Sequence, residues 1–307
     1  MNVTPITVAN TLLQNVQTQE QQISKLQQEE STGQSFQKPS DNPMAAENTL
    51  NFNNMLSQVS AFQTSSQNAM GWLNQTSGVM TNMLNLWDQV LQTATQASNS
   101  TNDQADLNAI ANTVSQMQAN FGQMLNTQYQ GSYIFSGYNY SAPPVPVPAS
   151  GQYPTSAAFP TTTNGQSQNF LVNTGVNIPV NLTGWENAGQ PAGTNYFAQA
   201  YNDIGALATA IKAGPSHVQS MLSQLQNDLG NLNAAQAIMG GNMQRVQNTM
   251  TQLTNASNDI NQNLAQVAGA NMAQVTTQLA QEQTAYQATL QSGAQILSLS
   301  LLNFINP

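Results

Sequence analysis

Few residues in this chain have the chemistry to act on a substrate. His217 is its only histidine, and it has no cysteine. A catalytic thiol, a disulfide framework and a thiolate metal site are therefore excluded. No second imidazole or thiolate can join His217 as ligand or base. It follows Gly214-Pro215-Ser216, where a helix is expected to begin, and a surface or capping role suits it better than catalysis. Asp103 and Asp106 lie close together, but at a predicted helix start, where the macrodipole accounts for them better than a metal does. No phosphate loop and no dinucleotide fingerprint occurs. Trp72 and Trp87 fall on helix faces and read as fillers of a core or interface. The thirteen methionines suit irregular gaps, or surfaces that repack against more than one neighbour. Neither an enzyme nor a cofactor is expected.

With chemistry absent, the apolar stripes carry the information. Near the C-terminus Val275, Leu279, Tyr286, Leu290, Leu297, Leu301 and Phe304 fall on one helical face, in steps built from threes, fours and sevens. The N-terminus holds a matching stripe. Ala9, Leu12, Val16, Ile23 and Leu26 follow a 3-4 heptad, with Gln19 and Glu30 as polar members of the seam. Narrow stripes are a coiled-coil feature. The two chain ends are therefore expected to pair, although the C-terminal helix would equally complete the core of one globular domain. Ordering a residue costs about 1–2 kcal/mol in backbone entropy, and stripes this narrow do not offset that alone. Both ends are expected to be weakly ordered in the free monomer and to order on assembly.

A chain of 307 residues is long enough for two or three domains. Only 6% of it is charged, against about a quarter in ordinary proteins. Its four basic residues, Lys25, Lys38, Lys212 and Arg245, leave no footprint for nucleic acid or an anionic membrane. Asn, Gln, Ser and Thr supply the solubilising face, whose hydration is indifferent to pH. That fits an acidic or ion-rich exterior, and compositional drift equally well. The N-terminus lacks a basic region followed by an apolar one, and no run approaches a membrane span. If the protein is extracellular, it leaves without a cleaved signal.

Taken in order, a helix from about residue 6 to 32 is stopped by Gly33, which accepts a left-handed backbone. The loop GQSFQKPSDNP follows, with Asn42 or Asp41 as cap and Pro43 at the first helical position. A second helix runs to about residue 97, weakened by Gly71 and Gly78 at about 1 kcal/mol each. After Asn99-Ser-Thr-Asn-Asp103, Thr101 and Gln104 are expected to form a capping box, and a third helix to end near Gly131. Residues 138–195 turn to Pro, Gly, Thr, Ser and Val. There Val176, Ile178, Val180 and Leu182 alternate as a half-buried strand. Pro179 marks that strand as an edge, and Trp185 argues for a small core rather than a disordered linker. Helices return at 196–212 and 216–264, the latter with a bend expected at Gly240-Gly241.

The fold class expected is mainly α with a small β insertion. It is a long antiparallel helical hairpin or bundle, with terminal helices forming a coiled coil and a β domain in mid-chain. The divisions are 1–40 (N-terminal coiled-coil helix and loop), 41–137 and 196–265 (helical bundle), 138–195 (β-rich insertion) and 266–307 (C-terminal coiled-coil helix).

Four stretches carry a resemblance, one of them Asn99-Ser-Thr-Asn-Asp103, which resembles an "ANGT…D" break between a second and a third helix. Ser31-Thr-Gly-Gln-Ser-Phe-Gln-Lys-Pro-Ser-Asp-Asn-Pro-Met-Ala-Ala46 resembles the "STG…PSDDP.AA" segment of hook-associated members of the flagellin family. Gly131-Ser-Tyr-Ile-Phe-Ser-Gly137 is similar to their "GRYIFSG", and QATLQSGAQILSLSLLNFI to the family's C-terminal signature. The resemblance covers about 1–137 and 196–307. One departure is Gln34, where the family has a basic residue. With Lys and Arg so scarce, polar hydrogen bonds must replace any intersubunit salt bridges.

The resemblance implies an extracellular structural protein of the bacterial flagellum at the hook–filament junction, exported unfolded by the flagellar type III pathway without signal cleavage. Its partners would be further copies of itself in a ring, the preceding hook-associated junction protein and filament flagellin. A cytosolic export chaperone would cover the C-terminal helix. No nucleic acid or membrane partner is implied. The assembly residues would be Leu12, Val16, Ile23, Leu26, Val275, Leu279, Tyr286, Leu290, Leu297, Leu301 and Phe304, with Pro39, Ser40, Asp41, Asn42 and Pro43 as the family loop. The alternatives are a filament flagellin, a needle-tip or translocator protein of a virulence secretion system, and an adhesin whose β insertion holds a ligand.

Overall fold

The computed structural model describes residues 5–137, 141–146, 153–156, 167–184 and 195–305. Among them the chain forms α1 (Pro5–Thr32), α2 (Pro43–Ala97), α3 (Gln104–Leu125), β1 (Gln128–Tyr129), β2 (Ser132–Tyr133), β3 (Asn169–Asn173), β4 (Val176–Pro179), α4 (Tyr196–Ala213), α5 (Pro215–Ala268) and α6 (Met272–Ile305). This is the mainly helical chain with a small mid-chain β insertion that the pattern predicts. It gathers into two compact units. Unit 1 comprises Met1–Gln58 and Ala256–Pro307, and unit 2 Val59–Asn255. Both chain ends thus fall in one unit, and the divisions lie within α2 and α5.

Unit 2 holds the larger core. α3 buries Leu107, Ala111, Val114, Gln118, Phe121 and Leu125, a helical spacing in which one polar member needs partners. Gln118 Nε2 finds them in the carbonyls of Thr155 (2.9 Å) and Tyr201 (3.0 Å). Trp87 of α2 is fully buried. Its ring meets Phe121 edge to face at 5.8 Å, and its Nε1 donates to the Leu225 carbonyl of α5 at 3.0 Å. Trp72 is buried too, edge-on to Tyr129 at 5.4 Å. Both tryptophans are core fillers, as their helical spacing implies. A chain poor in charge still has polar side chains to bury. Thr76, fully buried, returns its hydroxyl to the Trp72 carbonyl one turn back at 3.0 Å, which satisfies it without a partner from another element.

Three boundaries differ from the expected ones. The cap of α3 is Asp103, whose backbone is extended and whose side chain accepts the Asp106 amide at 2.8 Å. Thr101 lies two positions outside and instead donates its amide to Asn99 Oδ1 at 3.2 Å. α3 ends at Leu125 rather than near Gly131. Asn126 exchanges two hydrogen bonds with the Val145 backbone, at 2.8 and 2.9 Å, and this anchors the end of the helix. Gly131 is the turn of the β1–β2 hairpin. With Gln130 it gives two consecutive positive φ values, 51° and 81°, as a two-residue hairpin turn requires. Finally, α5 runs unbroken through Gly240-Gly241, and the chain breaks only at Gly269.

The β3–β4 hairpin is antiparallel, with Phe170 opposite Ile178. Ile178, Val180 and Leu182 are buried, so the alternation finds its inner face. Pro179 closes the strand, and its carbonyl takes Asn242 Nδ2 of α5 at 3.1 Å. Trp185 lies outside the described residues. His217 sits exposed in the first turn of α5. Among the described residues no cluster of three or more His, Asp or Glu side chains offers a metal site. No described helix is long and apolar enough to cross a membrane.

Candidate assembly interface

α1 and α6 lie antiparallel in unit 1. At one end Gln34 and Gly269 form a bridge. Gly33, with φ of 68°, ends α1 and offers its carbonyl to Ala270 N at 2.8 Å. Ser35 gives its amide (2.8 Å) and hydroxyl (3.3 Å) to the Ala268 carbonyl, an acceptor that the end of α5 would otherwise leave open. Asn271 then caps α6 through the Gln274 amide.

Further along, Leu26, Val275 and Leu279 bury one another, at 2%, 5% and 8% exposure, with Ile23 packed against them. Tyr286 donates its hydroxyl to Glu20 Oε1 at 2.7 Å. That bond is the first cause raising the tyrosine's pKa. Leu12 lies against Gly293, where a Cβ would fall 2.4 Å from Leu12 Cδ2. Glycine at this position lets the two helices approach.

The inward positions of α1 are Ala9, Leu12, Val16, Gln19, Ile23 and Leu26. Those of α6 are Val275, Leu279, Glu282, Tyr286, Thr289 and Gly293. Each set alternates steps of three and four, which is a coiled-coil seam. Leu12, Val16, Ile23, Leu26, Val275, Leu279 and Tyr286 occupy the seam that their spacing predicts. Leu290 does not: it is 46% exposed. After the four-residue step from Glu282 to Tyr286 the seam takes a three, to Thr289, and a second four carries Leu290 off its edge. Gln19 is in the seam with Oε1 buried and unpartnered. Glu30 is exposed, and the half-buried neighbour is Glu29, 3.8 Å from Lys25 Nζ. The side chains of Leu297, Leu301 and Phe304 lie outside the described residues.

Half the α6 seam is therefore polar or bare. Its members Glu282 and Gly293 stand seven residues from Val275 and Tyr286, and that heptad spacing was the available signal for them. The Leu12–Gly293 and Glu20–Tyr286 contacts left no local mark. Meanwhile Leu13, which follows a seam residue of α1 as Leu290 follows one of α6, is 60% exposed. A shallow groove on the outer side of α6 is lined by Thr277, Ala280, Gln281, Thr284 and Ala288.

The loop before α2 is held by its own polar side chains. Asp41 Oδ2 accepts the amides of Lys38 (3.0 Å) and Gln37 (3.2 Å), and those two bonds hold its carboxyl below the ordinary 3.8. Asn42 Oδ1 accepts the Ala45 amide at 3.1 Å and so caps α2, which Pro43 begins. The two candidate caps thus divide the work: Asp41 closes the loop and Asn42 starts the helix. Pro39, Ser40, Asp41, Asn42 and Pro43 are all exposed.

Residues 4–140 match the family model described as the bacterial flagellin N-terminal helical region. That part of the chain is similar to the flagellin helical region. Solved structures share its fold. A candidate flagellar hook-associated protein from Vibrio parahaemolyticus aligns with a TM-score of 0.64 at 18% identity, over 75% of this chain and 100% of that one. FlgL of Bacillus cereus gives 0.56 at 17%, over 70% and 99%. The flagellar junction protein FlgL of Legionella pneumophila gives 0.54 at 14%, over 74% and 100%. At such identities the likeness is one of fold. No curated protein matches this chain in sequence.

Proposed function

We propose that the chain is a structural subunit of the bacterial flagellum that joins hook to filament. Its copies assemble in a ring through the paired terminal helices. The observation that carries this reading is the half-satisfied α1–α6 seam of a chain whose residues 4–140 match the flagellin N-terminal helical region. Leu13 and Leu290 stand outside it, and the alanine-lined face of α6 is open to a further helix. Leu12, Val16, Ile23, Leu26, Val275, Leu279 and Tyr286 hold the pair. Leu290, Leu297, Leu301 and Phe304 contribute to contacts between copies. The preceding hook-associated junction protein and filament flagellin bind on either side of the ring. The chain reaches the cell exterior unfolded through the flagellar export route, its signal uncleaved, with a cytosolic chaperone on the C-terminal helix until then.

The test is Leu290→Asp in cells. The variant is expected to be exported and to keep unit 2 folded, yet to lose filament attachment and motility. Unchanged motility overturns the reading. Growth of the purified wild-type chain into long filaments would mark it as a filament subunit instead.

A further inference from the structure

Unit 2 encloses two carboxyl groups that the proposed assembly does not use. Asp228 of α5 is 1% exposed, and Asp203 of α4 is half-buried. Oδ2 of each is buried without a hydrogen-bond partner. Asp228 Oδ1 takes one long bond, from Gln224 Nε2 at 3.4 Å. Asp203 lies near enough for its charge and side chain to act on Asp228, and two carboxyls so placed attract each other only when a proton lies between them.

Among the described residues no cation pairs with them. On α4, Lys212 is in the last turn and exposed, Tyr201 donates its hydroxyl to the Pro154 carbonyl, and Tyr196 is a buried neutral ring against Phe197. On α5 itself, His217 and Arg245 are exposed. α2 turns the neutral Trp87 toward Leu225, and its Asp88 is exposed, as are Asp103 and Asp106 at the start of α3.

We propose that Asp203 and Asp228 share one proton and form a clasp between α4 and α5 that tightens in acid and opens in alkali. Burial first, then the charge and hydrogen bond of Asp203, raise the Asp228 carboxyl from 3.8 to about 8. The folded chain therefore holds a proton that the unfolded chain releases above pH 3.8. The clasp's contribution is complete below 3.8, declines as pH rises, and is lost above about 8. Most folded proteins run the other way, because acid protonates paired carboxylates. Here acid finds little to break: among the described residues there is one ion pair, Lys25–Glu29, on the surface.

The test is urea unfolding of the full chain between pH 5.5 and 9, in a His217→Asn background that removes the one imidazole. Unit 2 is expected to release one proton on unfolding at pH 6–7, so its midpoint falls with rising pH and levels off above about 8. Asp228→Asn should make the midpoint flat over the same range. A flat profile in the parent chain, or an undiminished slope in Asp228→Asn, overturns the proposal. Should Asp228→Asn fail to fold, the infrared spectrum of the parent chain at pH 6.5 decides. A protonated-carboxyl band that disappears by pH 9 sustains the clasp, and its absence at pH 6.5 refutes it.

Discussion

Unit 2 and unit 1 bury their apolar residues to very different depths. Trp87, Phe121, Phe197 and Tyr201 are fully enclosed in unit 2, where faces of α2, α3, α4 and α5 converge on one core. In unit 1 the α1–α6 pair encloses little beyond Leu26, Val275 and Leu279. A helix with one neighbour buries a narrow stripe, while a helix among several buries a broad face. The number of neighbours therefore sets the depth of a core, and composition adds to it, since all three tryptophans and seven of the eight tyrosines fall in unit 2.

The strongest way to break that contrast is Trp87→Ala. It removes the ring and its bond to Leu225, and should cost unit 2 about 3–5 kcal/mol in urea unfolding. Hydrogen exchange of α1 and α6 should not change. If it rises, the two units share one transition. Leu26→Ala is the mirror experiment. It should cost about 2 kcal/mol, at the low end for leucine because the pair can splay and admit water. Exchange should quicken over α1 and α6 and hold steady over α3 and α4. Asn42→Ala removes the cap of α2 and should cost about 1 kcal/mol, seen in the same exchange measurement at Ala45 and Ala46. The smallest effect is Asp41→Asn. Because the carboxyl of Asp41 is held below 3.8, its contribution is present above that pH and lost as pH falls past it. The amide shifts of Gln37 and Lys38 should therefore move in acid in the wild-type chain and stay still in the variant.

Much of this was legible in the sequence, for identifiable reasons. The α1 heptad, the stop at Gly33 and the alternation from Ile178 to Leu182 are local patterns whose period equals that of the element they form. The C-terminal stripe was legible only in part. Leu290 is a large apolar residue at a plausible step, whereas Glu282, Thr289 and Gly293 hold the true seam and look like surface or filler. The end of α3 depends on Val145, and the loop of Asp41 on amides that any residue supplies. The Asp203–Asp228 pair lies furthest beyond sequence reading, since neither residue is unusual until α4 and α5 bring them together.

The scarcity of basic residues turns a common protease into a gauge of local opening. Trypsin cuts after Lys or Arg and does not cut before proline, so the Lys38–Pro39 bond in the exposed loop is closed to it. Its other sites are Lys25 in α1, Lys212 in α4 and Arg245 in α5. Lys25 and Arg245 lie inside their helices, so cleavage there requires the helix to unwind first, whereas Lys212 sits in the exposed last turn of α4. The order of cuts in a native digest would rank the helices directly. Scission after Lys25 reports the opening of unit 1, scission after Arg245 that of unit 2, and scission after Lys212 the fraying of the end of α4. A partner that covers α1 would reveal itself by protecting Lys25 alone.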